Sequence, residues 1–115
     1  MRFYVDKPPS QTQCAEAVGT GDATITLSGE ANWYHALAHI SWSFVGDPGN
    51  GGQVSVELPE SGIVLLRIFL NKTNSAGAFN GQRVFSGKGM SAPVGAEMKI
   101  RLTGNADKSL TVQHR

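Results

Sequence analysis

The stretch that decides the fold is residues 33–45, Trp-Tyr-His-Ala-Leu-Ala-His-Ile-Ser-Trp-Ser-Phe-Val. Its even positions are apolar or aromatic, whereas four of its odd positions are histidine or serine. The even set is Tyr34, Ala36, Ala38, Ile40, Trp42 and Phe44, and the odd polar set is His35, His39, Ser41 and Ser43. Because successive side chains of a strand point to opposite faces of a sheet, this period of two predicts a long strand with one buried face.

Shorter runs with the same alternation predict further strands. They span residues 23–27, 53–58, 98–102 and 109–113, with weaker candidates at 2–5 and 82–85. Clusters of turn-forming residues at 46–52 and 104–108 separate neighbouring runs. These clusters predict two hairpins, one joining 33–45 to 53–58 and one joining 98–102 to 109–113. The one candidate helix covers residues 11–18.

Together these elements predict the fold class. About six to eight short strands, with turn signals every 8 to 12 residues or so, are typical of an all-β sandwich or barrel. A chain of 115 residues has room for one hydrophobic core. We expect a single small antiparallel β-sandwich, jelly-roll-like, over residues 1–115, in which residues 1–20 form an extended N-terminal arm.

Residues 63–70, Ile-Val-Leu-Leu-Arg-Ile-Phe-Leu, depart from the alternation. As a strand, one face would carry Val64, Leu66, Ile68 and Leu70. The other face would also be apolar, with Ile63, Leu65 and Phe69. Because only the inner face of a two-sheet sandwich is normally buried, this strand is predicted to pack against a loop or another subunit.

The charge balance argues against several classes of partner. Ten basic and nine acidic residues give a net charge of +1, with no run of either sign. We therefore expect neither a nucleic acid nor a membrane surface as a partner. The single cysteine, Cys14, can form neither an internal disulfide nor a cysteine-based zinc site. Residues 1–9 lack the apolar stretch of a signal peptide, which predicts synthesis in the cytoplasm.

The histidines are the first candidates for chemistry. His35 and His39 have the spacing of a metal-binding helix. On a strand, however, they would lie about 13 Å apart, too far for one ion to bridge. His114 could join one of them only through the fold. A hydrolase would need His35 or His39 within about 3 Å of a serine or carboxylate, and no motif predicts that arrangement. We expect no metal, no cofactor, no catalytic residue and hence no enzymatic activity.

The aromatic residues suggest a second class of function, carbohydrate binding, in which an exposed ring stacks on a sugar. Tyr34 and Trp42 share the apolar face of the long strand and are predicted to be core residues. That leaves Trp33 on the outer face, or Phe79 in a loop beside Asn80 and Gln82, as the aromatic platform of a lectin-like module.

Three segments carry a resemblance to a known group of proteins. They are Tyr34-His-Ala-Leu-Ala-His-Ile-Ser-Trp-Ser-Phe, Gly51-Gly-Gln-Val-Ser-Val-Glu and Met98-Lys-Ile-Arg-Leu-Thr-Gly. From residue 20 onward the chain resembles small proteins of tailed phages and prophages, although its apolar run 63–70 and its charged C-terminus depart from their pattern. The resemblance implies a virion protein of the capsid decoration, or cement, type, which would bind the major capsid protein or another virion protein.

The leading hypothesis is therefore a non-enzymatic phage structural protein that binds the virion surface as a homo-oligomer, in particular a trimer. Two sets of side chains are predicted to make the contacts. The first is Trp33, His35 and His39 on the outer face of the long strand, and the second is Ile63, Leu65 and Phe69 on the second face of the apolar strand. The alternative is the carbohydrate-binding module, free or part of a tail fibre.

Overall fold

The structure is a computed structural model that describes residues 11–45, 52–69, 80–85 and 90–114. Within these ranges the chain forms strands and turns and no helix. The strands are β1 (Gln11–Ala17), β2 (Ala23–Leu27), β3 (Ala36–Val45), β4 (Gln53–Leu58), β5 (Ile63–Phe69), β6 (Asn80–Val84), β7 (Met90–Ser91), β8 (Met98–Thr103) and β9 (Asp107–His114). The all-β prediction is confirmed.

The strands form two antiparallel sheets that pack face to face. Sheet A has the order β1-β9-β3-β6, with the short β7 beside β6 on the same side of β3, and sheet B has the order β2-β8-β4-β5. The pairs are nested, because β1 pairs with β9, β2 with β8, β3 with β6 and β4 with β5. Nested pairs distributed over two packed sheets, here of five and four strands, are the topology of a jelly roll. The predicted sandwich and its jelly-roll character are thus confirmed.

Both predicted hairpins are wrong. β3 lies in sheet A and β4 in sheet B, and likewise β8 lies in sheet B and β9 in sheet A. Consecutive strands of each predicted hairpin thus belong to opposite sheets, and neither pair is hydrogen-bonded as a hairpin. Each strand has one apolar face, and two consecutive strands can bury these faces against each other across the sandwich as well as side by side.

The N-terminal prediction also requires correction. The candidate helix over residues 11–18 is wrong, because Gln11–Ala17 is β1, a strand paired along its length with β9. The predicted arm over residues 1–20 therefore belongs to the sandwich at Gln11–Ala17. The candidate strand at residues 2–5 lies outside the described residues.

The core fills the space between the sheets. The alternating positions of β2, β3, β4, β8 and β9 supply it, as their periodicity predicts. Its fully buried members include Leu37, Ile40, Val54, Val56, Met98, Ile100, Leu102, Leu110 and Val112. Burying a side chain of this kind contributes about 1.5 to 3 kcal/mol, so these residues dominate the stabilisation of the fold.

Gly81 on β6 shows why a short strand of poor β-propensity pairs with β3. It lies opposite Trp42, and a Cβ added there would come within 2.6 Å of Trp42 Cζ2. A glycine at this position lets the β6 backbone lie directly against the indole ring. The strand predicted at 82–85 is therefore present as Asn80–Val84.

Candidate functional site

The apolar strand predicted to contact a partner is β5, at the edge of sheet B. Among the described residues its hydrogen-bonded neighbour is β4 alone. Ile63 is 51% exposed and Phe69 58% exposed, whereas Leu65 is half-buried and packs against the core. Two of the three predicted contact residues are thus open to solvent, and the third packs inward.

A β-bulge explains this split. The pairing of β4 with β5 shifts from Val56 opposite Leu66 to Glu57 opposite Val64, which leaves Leu65 as the extra residue. Val64 was predicted on the buried face, but it is 41% exposed because the bulge reverses the alternation before Leu66. Ile68 and Leu66, beyond the bulge, pack inward as predicted.

The outer face of sheet A carries mostly uncharged polar side chains. Strand register places them in three rows of four across β1, β9, β3 and β6. The rows are Glu16, Ser109, Ser43 and Asn80; Cys14, Thr111, Ser41 and Gln82; and Thr12, Gln113, His39 and Val84. Glu16 is the one carboxylate in these rows, so this face of the sheet carries little charge.

His39 lies on that surface, as predicted for the outer face of the long strand. Its Nε2 donates a hydrogen bond to Gln82 Oε1 at 2.8 Å. His39 is therefore part of a polar surface network, and on its neighbouring strand it meets an amide and not a nucleophile.

The outer face of sheet B is cationic. The register brings together Lys99 and Arg101 of β8, Glu57 of β4 and Arg67 of β5. Arg101 forms an ion pair with Glu57 at 3.4 Å, and both side chains are partly exposed. The two outer faces therefore differ in charge, which the sequence could not indicate because the four charged residues come from three separate segments.

His35 is not on the outer face of β3, contrary to its prediction. A register shift between Leu37 and His39, where β3 pairs with β9, reverses the alternation and turns Leu37 inward. His35 precedes this bulge and reaches sheet B, where its Nε2 donates to the backbone carbonyl oxygen of Ser28 at 2.7 Å. It thus lies at the end of the sandwich and not on its side.

At that end His35 meets His114, the last described residue of β9. The two ring centroids are 6.1 Å apart in an edge-to-face arrangement. Both rings line a polar cleft of about 280 Å³, together with Gln11, Gln13, Thr26, Leu27, Ser28 and Glu30. The sequence left open that His114 could join another histidine through the fold, and His35 is that partner.

His114 is held in its neutral form. Only 5% of the residue is exposed, Gln13 Nε2 donates to its Nε2 at 3.1 Å, and its buried Nδ1 has no hydrogen-bond partner among the described residues. Burial lowers the pKa of His114 below its ordinary 6.5, and the nearby His35 lowers it further.

The opposite end of β9 carries a second buried ionisable group, Lys108. Its Nζ donates to the carbonyl oxygens of Gly19 and Gly21 in the turn between β1 and β2. The adjacent Asp107 accepts a hydrogen bond from the Gly19 amide at 2.8 Å. These contacts lock the turn onto sheet A, and periodicity alone did not predict a buried lysine.

Trp33 is half-buried in the loop before β3, which begins at Ala36, and is not on the outer face of that strand as predicted. Its backbone is fixed, since its amide donates to Glu30 O at 3.2 Å and its carbonyl accepts from Gly95 N at 2.8 Å. The other aromatic candidate, Phe79, lies outside the described residues.

Over the described part of the chain, no group of three or more His, Cys, Asp or Glu side chains is placed to hold a metal ion. The hydrogen bonds of His35, His39 and His114 go to a backbone carbonyl and to two glutamine side chains. No helix in these ranges is long and apolar enough to span a membrane.

Comparison with known proteins places this site in no family. No protein-family model and no curated protein matches the sequence of the chain.

Proposed function

We propose that this chain is a non-enzymatic structural protein that assembles into a homo-oligomer through β5, the edge strand of sheet B among the described residues. The observation that carries the proposal is that Ile63 and Phe69, both more than half exposed, lie on a strand paired on one side within the described residues. The backbone of an edge strand can offer donors and acceptors to a further strand. Exposed apolar side chains on that edge add the burial that such a contact needs.

The outer face of sheet A supports assembly over catalysis. The outer face of sheet A carries rows of Ser, Thr, Asn and Gln side chains, whose removal from water in a contact with another copy costs far less than the burial of charges. A core of this size is marginal, and a subunit interface is one way to add buried apolar area.

The resemblance to small tailed-phage proteins extends this proposal to the virion. It implies a decoration protein, most simply a trimer, that binds the major capsid protein or another virion protein. Its presence in purified phage particles, measured by mass spectrometry after prophage induction in the source organism, tests this part of the proposal.

The assembly itself is tested by light scattering coupled to size-exclusion chromatography. We expect a mass that is a multiple of 12.2 kDa, and three times that value for the trimer. The double variant Ile63→Lys with Phe69→Lys should weaken association at least about tenfold, because each lysine keeps its ammonium in water and blunts a strand edge. Both side chains are exposed, so strand content measured by circular dichroism should not change.

The matched control is Val18→Lys with Val45→Lys, which places the same charges at two valines that are 81% and 79% exposed on sheet A or beside it. This control should assemble like the wild-type protein. A wild-type protein that stays monomeric at millimolar concentration would contradict the proposal, and an unchanged mass of the β5 double variant would place the contact elsewhere.

Carbohydrate binding is the second candidate, supported by the hydroxyl and amide side chains on the outer face of sheet A. Groups of this kind hydrogen-bond to sugar hydroxyls, and Gln82, Asn80 and Thr12 are exposed there. Reproducible binding to a glycan array by a protein that is monomeric in solution would favour this function over assembly.

A further inference from the structure

The cleft between His35 and His114 lies where the end of β1 is attached to the sandwich. We propose that Gln13, His35 and His114 form an acid-sensitive clasp, which holds the Gln11–Gln13 end of β1 on β9 at neutral pH and releases it in mild acid. This role is independent of the assembly proposed for β5, at the edge of the other sheet.

The closed state depends on a neutral His114 ring. Gln13 Nε2 can only donate to His114 Nε2, so that ring nitrogen carries a lone pair and the ring proton lies on Nδ1. His35 Nε2 donates to the Ser28 carbonyl, which connects the segment before β3 to the end of β2. The clasp thus joins the edge strand β1 to β9 within sheet A, and the segment before β3 to the end of β2 in sheet B.

Protonation of His114 breaks the hydrogen bond from Gln13. The new proton lies on Nε2, which then becomes a donor facing the donor amide of Gln13. The charge is also placed in a residue that is 5% exposed and whose Nδ1 has no acceptor among the described residues. Both effects favour an open state in which the imidazolium contacts water.

The charged groups around His114 do not offset this cost. His35, from the segment before β3, is a second imidazole whose ring centroid is 6.1 Å away, and its electrostatic repulsion adds to the effect of burial in lowering the pKa of His114. Glu30, from the loop between β2 and β3, lines the cleft, but within the described residues neither ring has a carboxylate at ion-pair distance. The facing side chains of β1 and β2, which are Gln11, Gln13, Thr26 and Leu27, do not ionise.

The direction of the pH effect follows from the lowered pKa of His114. Above about pH 7 the imidazole is neutral in both states, and pH has no effect through this group. As the pH falls through 6.5, the ordinary value, the open state takes up the proton first and becomes favoured. The shift towards opening grows until the pKa of the closed state is reached and is constant below it.

β1 is the element that can respond. It is an edge strand, bonded to β9 alone among the described strands, and Gln11 lies directly opposite His114. Its other end continues into the turn held by the hydrogen bond from Lys108 to Gly19. Opening should therefore begin at Gln11 and stop before Ala17.

Amide hydrogen exchange of the whole chain, followed by NMR at pH 7.5 and pH 5.0, tests the clasp. Protection factors near Gln11–Gln13 should fall by about tenfold for each unit by which the pKa of His114 is lowered, whereas those near Ala17 should hold. His114→Gln, which cannot be protonated, should abolish this acid response. The matched control His39→Gln removes an imidazole from the outer face of the same sheet and should keep the response.

A second variant keeps the test decisive if His114→Gln does not fold. His35→Gln removes the neighbouring charge and should reduce the acid response without abolishing it. If the Gln11–Gln13 amides remain equally protected at both pH values, for example because the Gln13 amide rotates and accepts from the imidazolium, the clasp proposal is overturned. It is also overturned if His114→Gln opens in acid like the wild-type protein.

Discussion

β9 carries an ionisable side chain at each end of its buried face, and the two ends differ in how completely these groups are bonded. The inward residues of the strand are Lys108, Leu110, Val112 and His114. At one end, the Lys108 ammonium donates to two carbonyl groups of a turn. At the other end, His114 has one ring nitrogen bonded to Gln13 and the other buried without a partner in the described structure.

The difference follows from the geometry of the two side chains. An ammonium on a flexible stem has three donors that rotate to meet whichever carbonyl groups lie near. An imidazole is rigid, and its two nitrogens point in different directions, so one can be satisfied while the other is not. The Lys108 end is thus a permanent attachment of the β1–β2 turn, and the His114 end is one that protonation can change.

Of the substitutions at the two ends of β9, replacing Lys108 should lower the free energy of unfolding the most. Lys108→Met keeps the buried methylenes but leaves Gly19 O and Gly21 O without their donor. We expect the free energy of unfolding to fall by about 2 kcal/mol, since each lost bond to a charged donor contributes roughly 1 kcal/mol or more. Urea denaturation at pH 7.5 measures it.

Lys99→Met is the control for that variant, because Lys99 lies on the outer face of sheet B and is partly exposed. Its effect should stay within about 0.5 kcal/mol. Equal free energies of unfolding for the Lys99 and Lys108 variants would show that the bonds from Lys108 to the β1–β2 turn do not stabilise the fold.

A smaller effect is expected at Asp107, which supports the same turn from the surface. Asp107→Ala removes the acceptor of the Gly19 amide, 2.8 Å from its carboxylate. Because Asp107 is exposed, water can replace the carboxylate, and we expect a loss of about 0.5 to 1 kcal/mol. Thermal unfolding monitored by circular dichroism is sufficient to detect it. A loss larger than that of Lys108→Met would reverse the order of the two contacts.

The smallest effect at neutral pH is expected at His114. His114→Leu removes the Gln13 bond but also the buried, unpartnered Nδ1, and these two changes oppose each other. We expect the free energy of unfolding to change by less than about 1 kcal/mol at pH 7.5. Urea denaturation repeated at pH 5.0 should then find the variant more stable than the wild-type protein, because leucine takes up no proton. A large loss in the free energy of unfolding at pH 7.5 would show that His114 stabilises its end of β9 as strongly as Lys108 stabilises the other.

Much of the fold could be predicted from the alternation of residues. The strands around 23–27, 36–45, 53–58 and 98–103 lie where the period of two predicts them, because each must turn an apolar face to one core. The pairing could not be predicted in this way. An apolar face indicates that a strand covers the core but does not indicate which sheet the strand belongs to. The two predicted hairpins therefore join strands that lie in opposite sheets.

Fewer features of the candidate sites than of the fold could be predicted from the sequence. Ile63 and Phe69 were found because two apolar faces on one strand are unusual, and the structure leaves both side chains exposed. His35 was placed on the wrong face because a bulge reversed the alternation between Leu37 and His39. Such a bulge has no residue signature in this stretch.

The sequence by itself determined an all-β fold with a low content of charged residues, because periodicity and composition are properties of the chain alone. Only the tertiary structure decided which side chains meet. Jelly-roll nesting brings β1 beside β9 and thereby places Gln13 against His114, 101 residues apart, and Lys108 against the Gly19 turn. Contacts between such distant segments depend on strand order and register, which no local pattern of residues specifies.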